Sequence, residues 1–453
     1  MPSLSHSYAP DLEKYLRSLK GQQLEASIEK LIALLNRRQI RGSEACAIAT
    51  THILLQVVAR SKWNDVDSLL QNVRNTGRRL VQAQPHELVV GNIVRRVLAL
   101  IRDEAAEDRN ESQSESQSEA QMTPTESSPL RHWTATTVAK QDSSGDYVSG
   151  SPATSQSFRS ALSTSLSAVS LPKTLFHLLS ASSPPDGSAA RSPSLRNSGT
   201  STPTGRSHTV PSQVHALRSE VIDGIEEIKD EISQVDEQIS SVADVQIHPG
   251  DRILLHQPSP TVERFILRAA AKRKFTVYIA VEPPQRGVSE PQSATFGEKL
   301  LAIGIETINV SGASTMALMP NISKVILGAR AIVSNGGVVT DSGATILAEA
   351  AKAMGIPIII LAGIYKLSPI EVADANSVIE WGSPEKYVDF DDGLVVEGVQ
   401  ILHAVTELVP AEYIDVYISN LGIHSRDHLA ILVDDHYYQE DADFDLEGGG
   451  CFQ

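Results

Sequence analysis

The stretch from Lys324 to Lys366 constrains the fold more than any other part of the sequence. Two short apolar runs, Val325–Leu327 and Pro357–Leu361, flank a helical pattern over Ser342–Met354, and Gly355 marks the end of that helix. An apolar run, a glycine-rich turn, a helix and a second apolar run follow in this order when a βαβ crossover lies in a buried parallel sheet. The stretch therefore predicts an α/β domain.

The turn Asn335-Gly336-Gly337 lies between the first apolar run, which continues through Ala331–Val333, and the predicted helix. Loops at the carboxyl ends of parallel strands form the ligand crevice of such a sheet, so this turn lies where a site would be. Its backbone amides could cradle a phosphate. The turn matches neither common phosphate-binding glycine motif, however, and a plain turn is the favoured interpretation. Thr340-Asp341-Ser342 is interpreted as the N-cap cluster of the helix.

The same alternation of apolar strands and helices extends over residues 249–437 and predicts a doubly wound, Rossmann-like parallel sheet. Beyond the crossover the alternation becomes less regular. Strands are expected at Arg252–His256, Thr276–Val281 and Ile305–Val310, and helices at Thr261–Lys272 and Ala294–Ala302.

Three further segments differ from this domain in composition. Residues 1–105 carry short helical stripes of apolar residues and predict a helical domain. Residues 106–211 are rich in Ser, Thr and Pro and predict a disordered insert, because they offer little apolar surface to offset the entropy lost on ordering. Residues 438–453 are acidic and predict a solvated tail.

Residues 212–248 predict one long helix, since apolar residues recur every three or four positions from Val214 to Val242. Two interpretations remain open. The helix could form a coiled coil with a second copy, or it could be a linker helix packed across the chain's own α/β domain. The second is favoured because a sheet follows at once and needs its faces covered.

Charge and cysteine content argue against several classes of function. The formal net charge of −16 argues against nucleic acid as a direct partner, since binding it usually requires a basic face. The two cysteines, Cys46 and Cys451, support neither a disulfide framework nor a metal site and fit a reducing compartment. The sequence shows no secretory signal and no apolar run long enough to cross a membrane, so we expect a cytoplasmic location.

Polar residues expected at the ends of the strands are the candidates for chemistry. A histidine near a carboxylate could act as an acid or a base. No activated nucleophile accompanies it here, and a lone histidine at a strand end is usually structural. The residues alone therefore predict a crevice without a catalytic set, a cofactor or a metal. The candidates are His256, Gln257, Glu282, Arg330, Asn335 and Asp341.

Five short segments form a recognisable set. They are Ile253-Leu254-Leu255-His256-Gln257-Pro258-Ser259, Val325-Ile326-Leu327-Gly328-Ala329-Arg330, Asn335-Gly336-Gly337, Tyr365-Lys366-Leu367-Ser368-Pro369 and Tyr417-Ile418-Ser419-Asn420-Leu421-Gly422. Together they resemble the regulatory-subunit family of the guanine nucleotide exchange factor for eukaryotic initiation factor 2, the 2B complex. The Lys366–Pro369 tetrad, the basic run Lys272-Arg273-Lys274-Phe275 and the Ser419–Gly422 ending are most similar to the beta branch of that family. The resemblance is good over residues 212–437 and loose over the helical domain. The insert has no clear counterpart in the family.

The same superfamily includes sugar-phosphate isomerases that act on methylthioribose 1-phosphate and ribose 1,5-bisphosphate. The resemblance implies that Gln257 stands where those enzymes have a catalytic cysteine, and Arg330 where they have a catalytic aspartate. Asn335-Gly336 is kept, but Thr340-Asp341 replaces an Asn-Lys pair near the phosphate. An amide cannot act as a nucleophile, and a guanidinium cannot release its proton near neutral pH. We interpret His256, Gln257, Arg330, Asn335 and Asp341 as a vestigial pocket without isomerase activity.

What the resemblance implies is a non-catalytic regulatory and scaffold subunit of that exchange factor. Its expected partners are the related alpha and delta regulatory subunits and the gamma and epsilon catalytic subunits. Initiation factor 2 is a further expected partner, including its phosphorylated alpha subunit, which this chain would help to sense. The alternative is a sugar-phosphate isomerase or a sugar-phosphate-binding protein of the same superfamily.

Overall fold

The computed structural model describes residues 10–19, 21–120, 210–281, 292–372, 374–384, 388 and 398–442. At the helix ends 10–11, 110–120, 210–213 and 292–294 it describes only the backbone. Glu282, most of the predicted insert and most of the predicted acidic tail lie outside these residues. None of the described helices combines the length and the apolar character needed to cross a lipid bilayer.

The described part of the first 120 residues is helical, as predicted. In the helix Val66–Ala83 buried positions recur every three or four residues, as at Leu69, Val73 and Leu80, so one side faces the core. In the helix Ser43–Arg60 residues 46–51 are all buried, so that helix is enclosed on most sides. One helix begins at Asp65, whose carboxylate accepts a hydrogen bond from the backbone amide of Ser68 at 3.1 Å. The helices are α1 Pro10–Ser18, α2 Leu24–Asn36, α3 Ser43–Arg60, α4 Val66–Ala83 and α5 Leu88–Ala120, the last of which continues past the predicted end at 105.

The long helix α6, Val210–Ser241, packs on the chain's own helices and sheet domain. Its apolar seam is buried from Leu217 to Ile239. Toward its start the guanidinium of Arg218 lies 4.8 Å from the ring centroid of Trp63 in the helical part. Toward its end the carboxylate of Asp236 accepts a hydrogen bond of 2.7 Å from Thr261 in the α/β part. The interpretation as a linker helix is therefore confirmed, and the chain itself covers the seam that a coiled coil would need.

The α/β part contains ten described strands and six described helices. The strands are β1 Arg252–His256, β2 Thr276–Val281, β3 Glu306–Ser311, β4 Lys324–Gly328, β5 Ala331–Ile332, β6 Val338–Asp341, β7 Ile358–Leu361, β8 Thr406–Val409, β9 Val416–Ser419 and β10 Gly422–His424. The helices are α7 Ala243–Gln246, α8 Pro260–Ala270, α9 Gln292–Ile303, α10 Thr315–Leu318, α11 Ala344–Ala353 and α12 Arg426–His436.

Within the described residues, a seven-stranded sheet forms the centre of this part. Its strand order is β10-β9-β7-β4-β1-β2-β3. All neighbours run parallel except β10 and β9. The chain progresses in one direction from β1 to β3 and in the other from β4 to β9, so the topological switch point lies between β1 and β4. In a doubly wound sheet the ligand crevice is expected at the carboxyl ends of those two strands.

The turn Asn335-Gly336-Gly337 does not lead into a helix, contrary to the prediction. It closes an antiparallel hairpin between β5 and β6, and β6 pairs with β8 in a second, smaller sheet. Gly336 has a φ of +87°, which is favourable only for glycine. The prediction overlooks β6 because a simple crossover explains the flanking apolar runs without it, although Val338-Val339-Thr340 has the β-branched composition of a strand.

The N-cap prediction for Thr340-Asp341-Ser342 is wrong for the same reason. Its first two residues belong to β6, and α11 begins after Gly343, whose φ is +97°. The backbone amide of Thr345 donates instead to Oε1 of Glu407 in β8, at 2.6 Å. A carboxylate from a neighbouring strand thus takes the role of the local cap, and its charge suits the positive end of the helix.

Asp441, in the predicted acidic tail, is not solvated, although Gln439 and Glu440 before it are exposed. Asp441 is fully buried, with Nη2 of Arg74 at 2.6 Å from its Oδ1 and Nε of Arg102 at 3.0 Å from its Oδ2. These partners precede it by 367 and 339 residues. Local composition predicts a solvated run, because it carries no information about cations so distant in sequence.

The carboxyl group of Glu104 on α5 is expected to make the stability of the helical part depend on pH. Burial, together with the charges of Glu107, Glu220 and other nearby carboxylates, raises the pKa of Glu104 from 4.5 to about 7. Because the folded state binds this proton more tightly than the unfolded state, the resulting stabilisation is complete below about pH 4.5 and is lost as the pH rises through about 7. We expect Glu104→Gln, which stays neutral, to raise the Tm at about pH 8 and to leave it nearly unchanged at about pH 4.5.

Thermal unfolding followed by circular dichroism at both pH values measures this effect. Glu298→Gln, at an exposed position on α9, is the control and is expected to change the Tm little at either pH. An increase in Tm of the same size at both pH values would contradict the prediction, because it would not depend on ionisation of the carboxyl group.

Candidate functional site

His256 ends β1 at the switch point and is held in one orientation. Its Nε2 donates to the carbonyl oxygen of Ser342 at 2.9 Å. A side chain at Gly343 would come within 3.1 Å of the imidazole ring, so the glycine gives the ring its space. Nδ1 is buried and has no hydrogen-bond partner among the described residues. An imidazole without a carboxylate partner lacks the usual arrangement of a catalytic base.

Gln257 follows with a φ of +39°, an uncommon value for a residue other than glycine. Backbone strain of this kind is concentrated at functional sites. The side chain is an amide, however, and cannot act as a nucleophile or release a proton. The chain therefore has an unusual conformation at the position that the resemblance assigns to a catalytic cysteine, without the chemistry of a thiol.

Arg330 and Asp341 form an ion pair directly after β4 and at the end of β6. Nε and Nη2 of Arg330 lie 2.9 and 2.6 Å from Oδ1 of Asp341. The backbone amide of Arg330 donates to the carbonyl oxygen of Val339 at 2.8 Å, so the hairpin sets the distance between the two side chains. A guanidinium keeps its proton near neutral pH and acts only as a hydrogen-bond donor. The pair can therefore bind charge, but Arg330 offers no group for proton transfer.

The helical part completes a network of charges around this pair. Ser43 donates to the carbonyl oxygen of Arg330 at 3.0 Å. Glu380 lies 3.9 Å from Nη1 of Arg330 and forms a second ion pair with Arg38. Burial raises the pKa of Glu87, while the charge of Arg330 and a hydrogen bond with Ser43 oppose that shift. We call the following set the charge network: Arg38, Ser43, Glu87, Arg330, Asp341 and Glu380.

A lysine and a cysteine, Lys366 and Cys46, also interact electrostatically with the charge network, and both are buried. Burial lowers the pKa of Lys366, and its Nζ donates to the carbonyl oxygen of Ala329 at 2.9 Å. Burial raises the pKa of the Cys46 thiol. A thiol with a raised pKa is protonated at neutral pH and is a poor nucleophile. The lowered pKa of Lys366 would favour a reactive neutral amine, but this amine is buried and bound to a backbone oxygen.

Asn335 does not join the other four residues of the predicted pocket. It lies in the hairpin turn, at the opposite end of β6 from Asp341. Its Oδ1 accepts a hydrogen bond from the amide of Gly337 at 2.8 Å, and its carbonyl oxygen accepts one from Arg426 at 3.1 Å. The amide of Gly336 is bonded to the carbonyl oxygen of Val333. Because these two amides already have partners, they are not free to cradle a phosphate, which favours the interpretation as a plain turn.

The structure brings His256, Gln257, Arg330 and Asp341 to the switch-point side of the sheet, through β1, β4 and β6. Sequence reasoning missed Ser43, Glu87 and Glu380, because no motif around any of them links it to the ends of the strands. Across the described ranges, no three His, Cys, Asp or Glu side chains are placed to hold a metal ion. This arrangement joins two parts of the chain by charge, and its residues offer no activated nucleophile.

Comparison with known proteins confirms the resemblance, including its beta branch. The chain matches the Initiation factor 2 subunit family over residues 39–425. It is 32% identical to the translation initiation factor eIF2B subunit beta of Schizosaccharomyces pombe, over 92% of this chain and 96% of that protein. It is 28% identical to the ribose 1,5-bisphosphate isomerase of Methanocaldococcus jannaschii, over 39% of this chain and 56% of the enzyme.

A solved structure supports the same assignment. A chain in the crystal structure of the tetrameric eIF2B-beta2-delta2 complex from Chaetomium thermophilum is 37% identical to this one, with a TM-score of 0.61. The alignment covers 94% of this chain and 100% of that chain. The alignment therefore spans both the helical part and the mostly parallel sheet. On these grounds the chain belongs to the Initiation factor 2 subunit family.

Proposed function

We propose that this chain is a regulatory and scaffold subunit of eIF2B, the guanine nucleotide exchange factor for initiation factor 2. The observation that carries the proposal is the similarity to the S. pombe beta subunit over nearly the full length of both proteins. The partner that follows first is a delta subunit, since the similar C. thermophilum chain comes from a beta2-delta2 complex. The alpha, gamma and epsilon subunits complete the expected assembly, in the cytoplasm.

The finer part of the proposal is that the chain helps to sense the phosphorylated alpha subunit of initiation factor 2. A sensor of this kind needs a rigid connection between the surface that meets the factor and the surfaces that hold the other subunits. The charge network and α6 both connect the helical part to the α/β part and support such a connection. Exchange chemistry would belong to another subunit.

The rate of GDP release from initiation factor 2 tests this proposal. The purified chain alone is expected to leave the release rate unchanged. The complete complex is expected to accelerate release, and phosphorylation of the alpha subunit of the factor to reduce that acceleration. A complex assembled without this chain should lose the response to phosphorylation. Clear acceleration by the isolated chain, or an unchanged response without it, would refute the proposal.

We place the contact with a delta subunit at the β10 edge of the large sheet. β10 is an outer strand, and Leu421 and Ile423 are about half exposed there, although both are large and apolar. The strand has no lysine or proline, which commonly protect a free edge from pairing. We expect Ile423→Asp to weaken association with the delta subunit at least about tenfold, since a charge would be buried without a partner.

Sedimentation of the chain mixed with the delta subunit from the same organism measures the association. Met316→Asp places the same charge at a similarly exposed apolar position on α10 and is the matched control, expected to keep the affinity within about twofold. Equal affinities for the two variants would exclude the β10 edge as the contact surface while leaving the proposed function intact.

The alternative function, a sugar-phosphate isomerase or sugar-phosphate-binding protein, is favoured by the 28% identity to the archaeal isomerase. The ion pair of Arg330 and the amide of Gln257 argue against turnover. Calorimetry with ribose 1,5-bisphosphate and an isomerase assay separate the two candidates. Turnover that disappears in His256→Ala or Asp341→Ala would establish the alternative.

A further inference from the structure

Residues 437–442 lie against the helical part and are called the docking segment below. The carboxylate of Asp441 is fully buried, and two arginines contact its oxygens. Arg74 lies 2.6 Å from Oδ1, and Nε of Arg102 lies 3.0 Å from Oδ2, with Nη2 of Arg102 at 3.3 Å from Oδ1. Charge-assisted contacts of this kind are short and directional, so they fix one carboxylate at one place.

Arg95 donates hydrogen bonds to backbone carbonyl oxygens of the same segment. Its side chain is 1% exposed, and its Nε lies 3.2 Å from the carbonyl oxygen of Asp441 and 3.2 Å from that of Ala442. Its Nη2 donates to the carbonyl oxygen of Ala442 at 2.9 Å. A buried guanidinium that binds main-chain oxygens recognises an extended or turning peptide rather than a single side chain.

Two tyrosines hold the other end of the segment. The hydroxyl of Tyr437 donates to the carbonyl oxygen of Leu367 at 2.6 Å, in the α/β part. The hydroxyl of Tyr438 donates to Oδ1 of Asp103 on α5 at 2.7 Å. The segment therefore contacts both parts of the chain.

The three arginines all come from α4 and α5, so one helix pair carries the cationic side of the contact. Without the docking segment, these cations would lose the anion and the carbonyl oxygens that compensate for their burial. A contact made of a buried carboxylate, main-chain oxygens and two tyrosine hydroxyls has the features of a bound peptide.

We propose that α4 and α5 carry a peptide-binding site, built by Arg74, Arg95 and Arg102, whose ligand is an acidic segment with the chemistry of residues 437–442. In this chain the site is filled in cis. The segment acts as a separable ligand that ties the α/β part to the helical part, and Asp441 is its main anchor.

A chain shortened to end at His436, with a fluorescent peptide of residues 434–442 added in trans, tests the proposal. The peptide carries a carboxyl-terminal amide, so that no new charge lies near Ala442. We expect saturable binding in fluorescence anisotropy. Asp441→Asn in the peptide is expected to weaken binding about thirtyfold or more, because a buried charge pair is lost. Glu440 also pairs with Arg102, at 2.9 Å, but its side chain is 70% exposed, and Glu440→Gln is expected to change binding less than about threefold because an exposed ion pair contributes little.

The shortened chain must first give the circular dichroism spectrum of a folded protein. A folded shortened chain that does not bind the peptide, or that binds the Asp441→Asn and unchanged peptides equally, would overturn the proposal. Hydrogen exchange in the full-length chain gives a second measurement that does not need the truncation. Asp441→Asn is expected to speed exchange of the amides in 437–442 at least about tenfold while those of α12 keep their rates. Unchanged exchange in that variant would also refute the proposal.

Discussion

Arg330→Met is expected to lower the free energy of unfolding by about 2–3 kcal/mol. Breaking a fully buried ion pair typically costs about 3–5 kcal/mol, and the smaller figure applies because both side chains of this pair are about one-third exposed. The methionine keeps much of the aliphatic bulk, so the loss comes mainly from the charge. Asp341, Glu380 and Glu87 would then remain in the charge network without their shared cation. Urea unfolding followed by circular dichroism measures the change.

The pH dependence of this loss distinguishes charge from packing. Arg330 is the largest influence that opposes the rise in the pKa of Glu87, so its removal should raise that pKa further. Protonated Glu87 contributes stability that is fully present below its unfolded pKa and is lost as the pH rises through its folded pKa. The variant should therefore be most destabilised near neutral pH and less so at about pH 4.5.

Arg330→Lys is the matched control for the loss of charge. It keeps the cation but cannot make the forked contact with Asp341, and we expect it to lose about half as much stability as Arg330→Met. A loss of stability that is equal in Arg330→Met and Arg330→Lys, and equal at both pH values, would show that the charge network does not stabilise the fold.

The parallel sheet was predictable because its strands are short apolar runs with helices between them. Residues such as Ile358, Ile359 and Ile360 are buried on both faces of the sheet, and such strands appear in a sequence as uninterrupted apolar runs. The position of the switch point follows from the strand order. The strand order depends on which strands pair, and the sequence does not show this. The sequence therefore identifies the ends of β1 and β4 as candidates but not which side chains meet there.

The hairpin of β5 and β6 carried a local signal that the prediction did not use. An Asn-Gly pair between runs of β-branched residues is a strong indication of the tight turn of a β-hairpin. The pairing of β6 with β8, in contrast, joins Val338 to Val409 across a stretch with no regular pattern. This pairing moves Asp341 out of a helix cap and places it beside Arg330.

The charge network and the docking segment were not predictable for a different reason. The contact of Ser43 with Arg330 spans 287 residues, and that of Arg74 with Asp441 spans 367. Charged residues in a sequence are usually exposed, so each of these residues has an ordinary solvated position as its default interpretation. Only the folded structure shows which of these residues lose their contacts with water and bind one another instead.

Gly363→Ala is expected to lower the free energy of unfolding by about 2 kcal/mol, within the range of about 1–3 kcal/mol for overpacking a core. A Cβ at this position would lie 2.6 Å from Cγ1 of Val235 on α6 and 2.7 Å from the ring of Tyr365. Both neighbours are buried, so neither can move into solvent. Gly363 has a φ of −67°, which alanine adopts without strain, so the loss would report packing alone. Urea unfolding measures it.

Two further variants show whether α6 is the element that resists the added methyl group. Val235→Ala removes one of the two clashing side chains, and in combination with Gly363→Ala it should be less destabilising than the sum of the two single changes by about 1 kcal/mol. Gly312→Ala, where a Cβ has no neighbour within 4 Å, is the control for the substitution itself. If the double variant instead lost as much free energy of unfolding as the two single variants together, the side chain of Val235 would not be what resists the added methyl group. In that case α6 could not connect the helical part rigidly to the sheet. A packed contact passes a displacement from one element to the next only if the side chains in the contact resist being displaced.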